Sequence, residues 1–141
     1  MGKSTFEMLY AYNEDLATKG APMVIGLNAK GDEIKFFIAK WANEKHEKEM
    51  LRRQKQLQAS RYSKTRNTRI QCEMFADTIL IGWENVLDTD GNDHPATREN
   101  KLAALIKFKD LRDQILEFSM DNMNYLAQDE NPEAEDDTEK N

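Results

Sequence analysis

Apolar positions along this 141-residue chain fall into helical stretches and one alternating stretch. Cys72, Phe75, Ala76, Ile79, Leu80 and Trp83 recur at the i, i+3, i+4, i+7, i+8, i+11 spacing that draws an apolar stripe along a helix. A second stripe, Ile70, Met74 and Ile81, lies on another side, so a helix over about 67–83 is expected to sit centrally or at an interface. Ser4 and Glu7 have capping-box spacing, and Phe6, Leu9, Tyr10, Leu16 and Ala17 predict a helix over about 5–19 that Gly20 ends. Residues 44–59 are charged nearly all round, with Met50, Leu51 and Leu57 as a thin seam and Glu44/Lys48 and Glu49/Arg53 as favourable i, i+4 pairs. Thr97 is placed as an N-cap, and helix is expected over about 98–126, restarted near Lys109 with Asp110 as a cap. In that last stretch Leu111, Ile115 and Phe118 form one seam, and Leu116, Met120 and Met123 another.

The alternating stretch is different in kind. Residues 22–27 and 33–39 place apolar side chains with period two on either side of Asn28-Ala29-Lys30-Gly31-Asp32, which predicts a hairpin with Gly31 at positive φ. A lone hairpin is marginal in water, so it is expected to lie on a helix or to gain strands from a second copy. The fold class expected is therefore α+β, mostly α-helical: an N-terminal β-hairpin at about 22–39 packed on about four helices, forming one folded domain over 1–127. Residues 128–141 are acidic with almost nothing to bury and are expected to be a disordered tail.

Charge sharpens this picture. The net charge of −6 conceals segments 1–40, 41–75, 76–127 and 128–141 carrying 0, +5, −5 and −6. The single cysteine, Cys72, lies on the main stripe and reads as a small buried thiol. No apolar run approaches the ~18 residues that span a bilayer, and the amino terminus lacks a signal-peptide core, so cytoplasm and no membrane are expected.

Chemistry is sparse. Gly2-Lys3-Ser4-Thr5 lacks the upstream glycine and preceding strand of a phosphate loop. Asp88-Thr89-Asp90-Gly91-Asn92-Asp93 has oxygen ligands, yet its glycine is misplaced for a calcium loop and Pro95 sits inside, so it reads as a solvated turn. His46 and His94 stand apart from any ligand cluster and read as surface histidines. With no catalytic constellation, no enzyme, cofactor or metal is expected. The basic segment 45–69, with Arg52, Arg53, Arg61, Arg66 and Arg69, has the charge to bind phosphates. Interleaved acidic residues and the acidic whole argue against nucleic acid as the partner.

The central segment carries a resemblance. Gly82-Trp83-Glu84-Asn85-Val86, then Asp88, Asp90-Gly91, Pro95-x-Thr97-x-Glu99-Asn100 and the Leu-Arg-Asp-x-Ile-Leu-Glu-Phe of residues 111–118 resemble the tail assembly chaperones of long-tailed, lambda-like bacteriophages. The resemblance implies binding to a tape measure protein, coating it in several copies while tail tube protein polymerises around it, and departure before the virion is complete. It also implies a longer frameshifted product extended near the acidic tail. Partner contacts are expected at Trp83, Leu116, Met120 and Met123, with Arg52 and Arg53 as the charged alternative, and the protein is expected to form a homo-oligomer. A structural tail or connector protein and a nucleic-acid-binding regulator using 45–69 stay as alternatives.

Overall fold

The computed structural model describes residues 2–127; the expected acidic tail at 128–141 lies outside the described residues. The fold is α+β. Helices α1 (Thr5–Tyr10) and α2 (Glu14–Lys19) lead into strands β1 (Ala21–Leu27) and β2 (Glu33–Ile38). Then come α3 (Glu44–Arg52), α4 (Gln54–Ala59), α5 (Lys64–Thr78), β3 (Leu80–Glu84), α6 (Arg98–Lys107), α7 (Lys109–Met120) and a 3-10 turn at Asn122–Tyr125.

The hairpin forms as its sequence dictates. Asn28 Oδ1 accepts the amides of Lys30 and Asp32, and Gly31 takes φ 89°. Its third strand comes from its own chain. The helix expected over 67–83 ends at Thr78, and residues 80–84 turn extended to pair antiparallel with β2, giving sheet order β1-β2-β3. The helical spacing of Ile79, Leu80 and Trp83 was misleading because a β-branched, aromatic run also suits a strand, and the open edge of β2 decides the matter. The helix also starts early, at Lys64, where Ser63 Oγ accepts the Arg66 amide at 3.4 Å.

Three other expected helices are each divided. The one at 5–19 breaks at residues 11–13, where Tyr12 bridges to Leu126 and Asn13 caps α2 by accepting the Leu16 amide. The one at 44–59 breaks at Arg53, whose backbone (φ −100°, ψ 6°) leaves helical geometry. The one at 98–126 breaks at Phe108; Arg112 Nη1 closes α6 by donating to the carbonyls of Leu105 and Ile106. Asp110 sits in the first turn of α7 and is not its cap. The local signals that held are the Ser4–Glu7 capping box and the Thr97 cap on the Asn100 amide.

One buried cluster joins the layers. Phe36 and Ile38 of β2, Leu80 of β3, Cys72, Phe75 and Ala76 of α5, Leu102 and Leu105 of α6 and Ile115 of α7 pack together. Tyr125 closes it from the C-terminal side, its hydroxyl donating to the Ile38 carbonyl at 2.8 Å.

Candidate partner-binding surface

The residues singled out in the sequence do not form one site. Trp83 lies half-buried on β3, edge-on to Phe36 at 5.8 Å between ring centroids, and its indole N–H donates to the His94 carbonyl at 2.6 Å. It holds down the 85–95 arch. The rest of the resembling segment is also architectural: Asn85, at φ 64°, donates its side-chain amide to Glu33 O, Asn28 reciprocates to Asn85 O, and Asn100 donates to Pro95 O. Asp88 Oδ1 accepts the Asp90 and Asn92 amides, and Gly91 takes φ 82°, so the acidic turn satisfies itself.

Arg52 and Arg53 point different ways. Arg52 is exposed and grips Glu49 through Nε and Nη2, each at 2.9 Å. Arg53 is buried among Glu49, Glu73 and Asp77, against the expectation of a surface contact. The break between α3 and α4 turns it toward α5, between Glu49 of α3 and Glu73 and Asp77 of α5. The Arg52 hydrogen bonds, reinforced by those from Arg53, hold the Glu49 carboxyl down to about 2. Asp77 is shared with Arg98, whose Nε lies 2.6 Å away. The basic segment is thus partly spent inside the fold.

Leu116 packs half-buried against the core cluster, whereas Met120 and Met123 are exposed, the latter by 73%. The expected seam is therefore cut at Leu116. Other apolar side chains are exposed elsewhere on the fold. Asn13 N–H donates to Tyr125 O, Ala127 N–H to Ala11 O and Trp41 N–H to Ser119 O, so the segments at 11–13, 40–42 and 119–127 lie side by side. Just before them stands α1, which buries none of its residues and exposes Phe6, Met8, Leu9 and Tyr10. Just after them Trp41, Ala42, His46, Glu47, Met50 and Leu51 line an open recess of about 460 Å³.

His46 corrects the reading of a surface histidine. It is only 2% exposed, and neither ring nitrogen has a hydrogen-bond partner. Asn43 caps α3 by accepting the His46 amide, and Ala42 at φ 62° turns the chain, which brings the imidazole against the Trp41 indole at 4.2 Å. Burial lowers its pKa, so the ring is neutral. No signal in the sequence separated His46 from its charged neighbours, because its burial depends on Trp41 and the cap. His94, by contrast, is half-buried and stacks on Trp83 at 5.9 Å.

Cys72 is buried and its thiol pKa is raised by desolvation. Among the described residues no group of three or more His, Cys, Asp or Glu is placed to hold a metal ion, and no helix is long and apolar enough to cross a membrane.

No curated protein and no solved structure matches the chain. A family model described as YdaY prophage protein matches residues 38–141, from the end of β2 through α7 and beyond it. That span takes in the recess, the buried Arg53 network, the 85–95 arch and both exposed methionines. The chain is a phage-derived protein and belongs to the YdaY prophage protein family.

Proposed function

We propose that this prophage protein is a tail assembly chaperone, a non-enzymatic protein that binds a tape measure protein in the host cytoplasm and leaves before the virion is complete. The observation that carries the reading is the exposure of Met120 at the end of α7 and of Met123 just after it. Exposed flexible methionines suit helical partners of varied sequence, because an unbranched thioether fits irregular contacts. The resemblance of the central segment supports the same reading, since the Gly82–Asn100 pattern builds the arch and the start of α6 on which α7 is held. A nucleic-acid regulator is less well supported: Arg53 is buried, and Arg52 is committed to Glu49.

Co-expression tests the proposal. A long, helix-rich tail protein from the same prophage should gain soluble yield when made with this chain and should co-purify with it. No gain and no co-purification would overturn the assignment.

A further inference from the structure

We infer that the acidic segment 128–141 docks in cis on the basic tip made by α4, the turn at 60–63 and the first turn of α5, its carboxylates against Lys55, Arg61, Lys64 and Arg66. Residues 50–72 hold Arg52, Arg53, Lys55, Arg61, Lys64, Arg66 and Arg69 and no acidic residue. Glu49 and Glu73, which bound this run in sequence, are taken up by Arg52, Arg53 and Arg69. The other four cations are exposed, and none of them pairs with a carboxylate among the described residues. The backbone holds them close: Arg61 N–H donates to Gln58 O and Ser63 N–H to Ser60 O, so α4 turns directly into α5. Lys55 and Arg61 border one open hollow, and the Arg61 guanidinium lies 4.9 Å from the centroid of the exposed Tyr62 ring. Lys64 and Arg66 stand in the first turn of α5, where the aligned peptide dipoles are already positive and no acidic residue offsets them. The tip thus concentrates positive charge that an anionic chain would relieve.

Charge and reach select segment 128–141 as that chain. It carries seven acidic residues against Lys140 alone. It begins just after Ala127, whose N–H donates to Ala11 O beside the 40–42 segment. From there α3 and α4, of nine and six residues, lead to the tip, and together they rise at most roughly 22 Å at ~1.5 Å per residue. The ten residues 128–137 span up to about 33 Å at ~3.3 Å each, enough to lay Asp136 and Asp137 on the tip. Tethering gives the segment a local concentration on the order of millimolar, so ion pairs that are weak singly suffice. A separate nucleic acid lacks that advantage and meets a chain of net charge −6.

The inference goes beyond the chaperone reading and uses neither Met120 nor Met123, so the purified full chain alone tests it. Ala134→Cys carries a nitroxide into the acidic segment, because the native thiol of Cys72 is buried and does not take the label. The amides of Lys55, Arg61, Lys64 and Arg66 should lose most of their NMR intensity at about 0.1 M salt and regain it at about 1 M, as the Debye length shrinks from ~10 Å to ~3 Å. Arg61→Glu with Lys64→Glu, both at exposed positions, should abolish the loss at Lys55 and Arg66 with circular dichroism unchanged. Asp136→Asn with Asp137→Asn should weaken it from the other side. Nitroxide-bearing chain mixed with isotope-labelled chain that lacks the nitroxide should leave the tip signals sharp. A single-stranded DNA oligonucleotide should bind wild type no more tightly than it binds the Arg61→Glu, Lys64→Glu variant. Sharp tip signals in the labelled chain at low salt, or a loss indifferent to both pairs of substitutions, would overturn the inference. Loss in the mixture would overturn it in favour of another copy's segment, and an oligonucleotide held roughly tenfold more tightly by wild type would overturn it in favour of nucleic acid.

Discussion

Arg52 and Arg53 are neighbours in sequence and opposites in energy. Arg53→Ala would remove the cation that Glu49, Glu73 and Asp77 share while each keeps a second arginine, Arg52, Arg69 and Arg98 respectively, and should cost about 1–3 kcal/mol in urea unfolding. Arg52→Ala removes an exposed pair and should cost about 0–1 kcal/mol. Acid behaviour follows from the same cluster. Glu49 has a folded pKa of about 2 against an ordinary 4.5, so its contribution is complete above that ordinary value and is lost as pH falls through 2. His46 also has a lowered folded pKa, so its neutral burial is favourable above about 6.5 and is lost as pH falls below that value, with Glu47 opposing the shift. Stability followed from pH 7 to 5 should therefore fall, and His46→Gln should flatten the fall. An unchanged slope in that variant would mean that His46 is not the titrating group. Trp83→Ala should cost about 2–3 kcal/mol, below the ~3–5 of a fully buried aromatic, because the indole is half-buried and its one hydrogen bond is to His94 O.

Elements differ in how far they depend on distant contacts. The hairpin, the α1 capping box and the Thr97 cap were legible because each is specified by residues within a few positions, such as Asn28 and Gly31 in the turn. Strand β3 was not, because Ile79, Leu80 and Trp83 fit helical spacing and only the free edge of β2, more than forty positions back, makes them extended. Arg53 and Tyr12 likewise interrupt helices for partners remote in sequence. Gly20 joins α2 to the sheet at φ 104°, and a Cβ there would meet Phe37 C at 2.9 Å. Gly20→Ala should therefore destabilise by about 1–3 kcal/mol, more than Gly91→Ala, whose added methyl meets nothing within 4 Å. Equal thermal shifts for the two would contradict this account of the α2–β1 corner. In the monomer, α1 amides should exchange with solvent far faster than those of α5, which buries six residues.

At the scale of the whole molecule, the α+β class was readable from periodicity, while the exposure of the candidate contact residues was readable only in part. Met120 and Met123 are exposed, but Leu116 turns to the core, Trp83 holds an arch, and Arg53 is buried among three partly exposed carboxylates. The exposure of Phe6, Met8, Leu9 and Tyr10 in α1 and of Leu51 beside the recess was not legible because it depends on what the rest of the fold leaves uncovered. Membership of the YdaY prophage protein family places the protein in a phage setting, and the proposed chaperone role is argued from the exposed Met120 and Met123. The most direct measurement is the soluble fraction of the prophage's tape measure protein when co-expressed with this chain, compared with the Met120→Asp, Met123→Asp double variant. The account predicts a high soluble fraction with wild type and its loss with a double variant whose circular dichroism is unchanged. Equal solubility with both chains, or none with either, would contradict it.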